Sequence, residues 1–343
     1  MSAPTTPNVA APASSTVQTL TIGKAINMGL RAAMERDNKV IVMGEDVGKL
    51  GGVFRITDGL QKDFGEERVL DTPLAESGII GTAVGLAVRG YRPVCEIQFE
   101  GFIFPGFDQI NSQVAKLHAR TQGRVKVPMV IRVPYGGGIG AVEHHSESPE
   151  SYFAHLAGVK AVTPSNPVDA YWMIQQAIFS DDPILVFEPK KLYHMSALKE
   201  PVDTAATPMP LFKSKVLRTG TAATLVCYGP TVKTCLEAAE TAAEEGNELE
   251  VIDLRALSPM DLEPVFASVR KTGRLIAVSE APSEASLTSE IAARVQQECF
   301  YSLEAPVLRV TAFDTPYPPS KLEEHYLPDV DRILHAVDQS LEW

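Results

Sequence analysis

Cysteine is scarce in this chain of 343 residues: Cys95, Cys227, Cys235 and Cys299 stand far apart, and no C-x-x-C pair occurs. That spacing excludes a disulfide framework and a zinc ribbon, and it fits a reducing compartment. Positive charge is also in deficit. With 31 Lys and Arg against 43 Asp and Glu, the formal charge is -12 and the pI is near 5.1. This balance argues against non-specific binding to nucleic acid or anionic membranes and leaves room for a basic protein partner. No apolar run reaches membrane-spanning length. Residues Met1 to Val17 contain no Lys or Arg and are rich in Ala, Pro, Ser and Thr. Without arginines they make no mitochondrial presequence, and without a charged start and an apolar core they make no secretory signal, so a disordered tail is expected. The chain reads as cytoplasmic, most simply bacterial. Familiar catalytic signatures are missing too. Gly136-Gly137-Gly138-Ile139-Gly140 is not followed by Gly-Lys-Ser/Thr as in a P-loop, and Glu143 stands where the last glycine of a dinucleotide fingerprint belongs. No G-x-S-x-G elbow is present.

What is there is a core-forming α/β pattern. Hydrophobic residues make up 45% of the chain, and its length suggests two domains. Short continuous apolar runs such as Val40 to Gly44, Pro93 to Phe99, Pro128 to Val133 and Ile184 to Phe187 read as buried parallel strands. Between them, Thr21 to Arg36, Phe107 to Thr121 and Pro167 to Phe179 carry apolar residues at helical spacing, the first behind a threonine cap. The pattern breaks into polar residues with Pro201, Pro208 and Pro210, then resumes from Thr224 to a final helix beginning near Asp329. The expected organisation is a tail over 1–17, an α/β domain with a mainly parallel sheet over 18–194, a linker over 195–212, and a smaller α/β domain over 213–343.

The stretch Asp71 to Gly81 runs from a proline-constrained loop into a helix start and delivers Glu76 at the first turn. Gly78, Gly81 and Gly85 recur at three- and four-residue spacing, so one helix face is nearly bare and something packs closely against it. Read alone, Glu76 is an acid favoured by the positive end of a helix. Glu45 follows another strand end, and two carboxyls in one cleft have proton affinities driven apart by burial and repulsion, which suits acid/base work. His144 and His145 adjoin the glycine-rich segment, which reads as a flexible active-site loop. Each is a proton carrier on one reading and a solvated or capping histidine on another. A zinc site from His144, His145 and His155 matches no standard ligand spacing.

Taken together, Gly44-Glu45-Asp46-Val47-Gly48, Gly51 to Arg55, Asp71 to Gly81, Arg92 to Phe99, Phe107 to Ile110, His145 to Glu150 and Phe187 to Tyr193 resemble, in order, the β subunits of the thiamine-diphosphate-dependent 2-oxoacid dehydrogenases. The resemblance continues at Gly273-Arg274, Ser279 to Pro282 and Tyr326 to Pro328, and so covers nearly the whole chain after the tail. It implies a pyrimidine-binding domain of the thiamine-diphosphate type followed by a transketolase-C-terminal-like α/β domain. It further implies that Glu76 hydrogen-bonds the aminopyrimidine ring, so that the ring reaches its imino form and takes the thiazolium proton to give the ylid. Glu45, Gln98 and Phe102 match other positions of the cofactor pocket, Phe102 where an aromatic, often tyrosine, stands. His145 matches the histidine of acyl transfer to a lipoyl arm, whereas His144 has no counterpart.

No Gly-Asp-Gly occurs, so the diphosphate and its Mg2+ are expected on an α subunit, with no metal ligands on this chain. The family assembly has two α and two β chains and engages a dihydrolipoyl acyltransferase core, to which the acidic second domain is a candidate docking face. The 2-oxoacid reads as branched-chain rather than pyruvate, from Glu96 to Phe99, Ile103 to Pro105 and Glu188 to Lys190. Family structures place a structural K+ near the last strand of the first domain, a place that Ser180-Asp181-Asp182-Pro183 matches poorly. Pro282 to Glu290 and Glu147 also depart from the usual pattern. The alternatives are the C-terminal half of a split transketolase-like enzyme and a non-catalytic docking subunit.

Overall fold

A computed structural model describes residues 17–343. The tail expected over 1–17 lies outside the described residues except for Val17, which opens a strand, Val17–Leu20. This strand pairs antiparallel with Glu200–Asp203. The segment expected as a bare linker therefore carries a strand, and it pairs with the residues that follow the tail.

The first sheet has seven strands, in the spatial order Ala256–Ser258, Lys160–Val162, Ile184–Pro189, Val130–Tyr135, Arg92–Glu96, Val40–Gly44 and Val69–Asp71. All neighbours run parallel except Ala256–Ser258, which comes from the second half of the chain and pairs antiparallel with Lys160–Val162. Helices cover both faces, which explains why Val40–Gly44, Val130–Tyr135 and Ile184–Pro189 are buried along their whole length and read as unbroken apolar runs. Ile22–Arg36 begins as its sequence predicts, with the Thr21 hydroxyl accepting from the Lys24 amide, and packs on Pro167–Ile178. Gly29 permits this contact, since a Cβ there would lie 2.5 Å from the Ile174 side chain and 2.8 Å from the Tyr171 carbonyl.

The second sheet has five strands, in the order Leu308–Ala312, Leu275–Pro282, Ala223–Cys227, Leu249–Asp253 and Lys215–Arg218, the last one antiparallel. One hydrophobic core, from Met43 and Ile97 through Phe187 to Val226, Leu254 and Leu275, runs through both halves. Buried polar contacts reinforce the junction: Ser165 Oγ donates to Asp253 at 2.5 Å, and Arg255 pairs with Asp169 at 2.7 Å.

One expected helix is irregular. Phe107 to Thr121 divides into Phe107–Gln109, a wide π-turn over Ile110–Val114, and Leu117–Arg120. Of the apolar stripe Ile110, Val114 and Leu117, the first two are buried and Leu117 is partly buried against the same core, so the core contact is kept while the backbone winding changes.

Candidate active site

In an open parallel sheet the strand C-termini form a crevice where ligands gather, and the candidate residues come from these ends. Val40–Gly44 leads into Glu45, Val69–Asp71 into the loop before Glu76, Arg92–Glu96 into Gln98 and Phe102, and Val130–Tyr135 into the glycine segment and His145. The loop after Glu45 is tied down. The Gly48 amide donates to Asp71 at 2.6 Å, Thr57 Oγ1 donates to the Val47 carbonyl at 2.8 Å, and a Cβ on Gly52, at φ +77°, would meet the Glu96 carboxylate at 2.8 Å. Asp46 sits in the left-handed region at φ 57° and accepts from Gln98 Nε2 at 3.2 Å. That conformation is unusual for a residue with a Cβ, and it joins the Glu45 loop to Gln98.

Glu76 opens the helix Glu76–Val88 and is 5% exposed, while Glu45 is 8% exposed. Burial, then the nearby Glu76 charge, then Asp46 push the Glu45 carboxyl above its ordinary range. Its Oε1 is buried without a hydrogen-bond partner among the described residues. A buried acceptor left unpaired is costly, and its placement suits a donor supplied by a ligand.

His145 belongs to an aromatic cluster with Phe99 and Phe102. Its ring stacks on Phe99, with centroids 3.9 Å apart and planes at 25°, and meets Phe102 edge-on at 5.1 Å. Its Nδ1 is 2.9 Å from the His144 carbonyl. A carbonyl only accepts, so Nδ1 carries the proton and Nε2 is the position that exchanges one. Burial first, and then the neighbouring His144 and Lys190 charges, lower the His145 pKa from 6.5, against an upward pull from the His144 carbonyl. The structure thus gathers Phe102 and His145 with Phe99, ties Gln98 to Asp46 beside Glu45, and brings Glu45 near Glu76. His144 is half exposed and contacts the exposed Glu143.

Several residues of the site's frame carry no local sequence signal. Lys190 Nζ donates to both oxygens of Glu100, at 3.0 and 2.9 Å, and to the Gly136 carbonyl, all of it buried. It therefore joins the start of the turn that holds Phe102 to the start of the segment that holds His145. Arg132, buried in the sheet, makes a bidentate pair with Glu188 at 2.7 and 2.8 Å and bonds Glu96, while the Tyr193 hydroxyl donates to Glu188 at 2.5 Å. The only signal available was that acidic and basic residues interrupt otherwise apolar strands, Arg132 within Val130–Tyr135 and Glu96 and Glu188 toward the ends of theirs. The segment over 136–140 is not a free loop as expected. Its amides and the Gly136 carbonyl are held by Lys190, Glu280 and Glu323.

Residues 18–195 match the family model of the transketolase pyrimidine-binding domain, and residues 213–333 match that of the transketolase C-terminal domain. A pyruvate dehydrogenase E1 component subunit beta from Leifsonia xyli subsp. xyli is 61% identical over 327 residues, covering 95% of this chain and 96% of that protein. The chain belongs to the β subunits of the thiamine-diphosphate-dependent 2-oxoacid dehydrogenases. A 3-methyl-2-oxobutanoate dehydrogenase subunit beta from Mycobacterium tuberculosis is 51% identical, covering 94% of this chain and 92% of the relative. A solved structure titled split gene transketolase, inactive beta4 tetramer, aligns with TM-score 0.76 over 95% of this β chain and 99% of its own, at 21% identity, which bears on the fold alone.

The residues fit the pyrimidine end of that cofactor: two buried carboxyls, one of them, with an orphaned oxygen, on a loop that Gln98 ties to the strand leading to the aromatic cluster. Among the described residues no group of three or more His, Cys, Asp or Glu is placed to hold a metal ion. A monovalent cation does not fit the turn Ser180 to Pro183. Arg92 already donates to the Ile178 and Ser180 carbonyls, each at 2.9 Å, and Lys126 and Lys160 neutralise Asp181 and Asp182, each at 2.6 Å. No helix among the described residues is long and apolar enough to cross a membrane.

Proposed function

We propose that this β chain supplies the pyrimidine half of the decarboxylating site of a 2-oxoacid dehydrogenase complex. It works in an assembly of two α and two β chains and passes the acyl group to lipoamide on an acyltransferase core. The observation that carries this reading is the buried Glu45 and Glu76 pair at adjacent strand ends in a chain without Gly-Asp-Gly. Half a site implies a second chain, and exposed apolar side chains on the same loops support one: Leu50 and Val53 after Glu45, Val142 before His145, and Leu74, 77% exposed, two residues before Glu76.

Bound thiamine diphosphate supplies the nucleophilic carbon and the electron sink for decarboxylation. Glu76 would hold a proton against the aminopyrimidine ring, and Glu45, whose carboxyl burial and the Glu76 charge push above its ordinary range, would line the pocket beside it. Phe102 would stack on the ring, and Gln98 would line the pocket as a hydrogen-bonding group. His145 acts in the transfer half. As one lipoyl sulfur takes the acyl group and the S–S bond breaks, its electron pair leaves on the other sulfur, and His145 Nε2 delivers the proton that sulfur needs.

The 2-oxoacid is branched-chain in this reading, supported by the segments Glu96 to Phe99 and Ile103 to Pro105 and by the apolar Phe99 and Phe102 wall. The four cysteines are free and buried, which supports a reducing cytoplasm. The functional units are residues 18–194 and 213–343, joined by 195–212.

The test is reconstitution with a Gly-Asp-Gly-bearing α chain, followed by assays on branched-chain oxoacids and on pyruvate, with a dye acceptor and with a lipoyl domain. Glu76→Gln should lower both dye reduction and lipoyl acylation about a hundredfold or more. Undiminished activity would favour a docking subunit. His145→Ala should lower acylation at least about tenfold more than dye reduction. A preference for pyruvate would overturn the substrate assignment while leaving the rest.

A further inference from the structure

The segment Gly136 to Gly140 connects the strand Val130–Tyr135 to the turn Glu143–His145. Gly136, Gly138 and Gly140 adopt φ of +83°, +84° and +69°, a left-handed region that glycine enters without cost. The alternation turns successive amides outward, and carboxylates from the second half of the chain receive them. Glu280, near the end of the strand Leu275–Pro282, accepts from the Gly137 amide at 3.0 Å. Glu323, first residue of the turn Glu323–Tyr326, accepts from the Gly138 amide at 2.8 Å on one oxygen and from the Gly140 amide at 3.0 Å on the other. The Tyr317 hydroxyl also donates to Glu323, at 2.6 Å.

Glu323 is buried, and these three donors hold its two oxygens, with the Lys190 charge nearby. A buried carboxylate is costly without its hydrogen-bond donors, so the two amides and Glu323 hold one another in place. The fit is tight: a Cβ on Gly137 would lie 2.1 Å from the Tyr317 hydroxyl. Three residues beyond the second of Glu323's amides, the segment enters the turn that ends at His145.

We propose that Glu323 is a positioning residue for acyl transfer: by gripping the Gly138 and Gly140 amides from the second domain, it fixes where His145 meets the lipoyl arm. This rests on the role given above to His145. None of these hydrogen bonds of Glu323 reaches Glu45, Glu76, Gln98 or Phe102, so loss of its grip is expected to affect acyl transfer more than decarboxylation.

The test uses the reconstituted assembly with Glu323→Gln, Tyr317→Phe and His145→Ala. A glutamine side chain has one acceptor oxygen, and its NH2 faces the Gly140 amide donor to donor. Glu323→Gln should lower lipoyl acylation about ten- to a hundredfold while dye-coupled decarboxylation stays within about twofold. Tyr317→Phe, which removes one donor and leaves the grip on both amides, should show the same split on a smaller scale. Equal losses in both assays, or no loss of acylation, in complexes of unchanged size would overturn the proposal. If Glu323→Gln does not assemble, Tyr317→Phe decides by the same criterion. If His145→Ala leaves acylation untouched, the role of His145 falls and the positioning role with it. If His145→Ala lowers acylation while neither other variant shifts the balance between the assays, the positioning role alone falls.

Discussion

Glu45 follows the end of its strand with one carboxylate oxygen buried and without a partner among the described residues, and with Glu76 close enough to raise its proton affinity. Both conditions destabilise the chain taken by itself, and an active site commonly carries such a burden. Glu45→Gln removes the repulsion from Glu76 and Asp46 while keeping the shape. The β chain alone should gain about 0.5–1 kcal/mol of stability, a shift of a few degrees or less in thermal unfolding. The reconstituted complex should lose activity. A variant with lowered Tm and intact turnover would remove Glu45 from the site. His145 shows the same logic in aromatic form: stacking on Phe99 and the bond to the His144 carbonyl fix the ring and leave Nε2 as its working atom.

The helix Glu76–Val88 is unlike a surface helix, because its outward face has almost no side chains. A Cβ added at Gly85 would meet nothing within 4 Å, one at Gly78 only the Ala75 Cβ at 3.6 Å, and one at Gly81 only the Gln109 amide group, its Oε1 at 3.6 Å. Within this chain nothing requires these glycines, and each costs about 0.5–1 kcal/mol relative to alanine in a helix interior. A face kept bare at that cost suits close approach by a helix of another chain. Gly81→Leu should therefore leave the Tm of the β chain unchanged or raised, while lowering its assembly with α chains as read by size-exclusion chromatography. An intact, fully active complex from this variant would rule that packing out.

For the whole molecule, burial without full compensation gives a pH signature. Burial raises Glu100 and Glu150, ordinarily 4.5, and Asp253, ordinarily 3.8, to about 7. Because the folded values lie above the unfolded ones, the native state holds protons between those limits that the unfolded state has released. Their contribution to stability is therefore largest on the acid side and falls as pH rises through about 7. Glu150 is the clearest case. Tyr228 donates to its Oε1 at 2.8 Å, its Oε2 has no partner among the described residues, and the nearby Glu280 adds repulsion. Thermal unfolding should give a Tm a few degrees higher at about pH 6 than at about pH 8, and Glu150→Gln, neutral throughout, should reduce that difference. An unchanged slope in the variant would mean that Glu150 does not titrate in this range.

The alternation of buried apolar runs with amphipathic helices determined two α/β units with mainly parallel sheets, since strands covered on both faces must be apolar throughout and helices only on one side. The bare glycine face and the acid at the first turn of its helix were also written locally, in residues adjacent along the chain. Glu45 and His145 also stood out beside strand ends, and the resemblance to the β subunits added Gln98 and Phe102 and gave all four a role in the candidate site. Pairing between distant segments was beyond reach: Val17–Leu20 with Glu200–Asp203, and Ala256–Ser258 joining the first sheet from the second half. So were the buried charges. Nothing near Lys190 marks Glu100 and Gly136 as its partners, and nothing near Gly138 and Gly140 marks Glu323, 185 and 183 residues away. Local patterns report which face of an element is apolar, whereas the partner of a buried charge depends on which elements the tertiary fold brings within hydrogen-bonding distance. That is why the glycine segment reads as a flexible loop in sequence and is a gripped one in the folded chain.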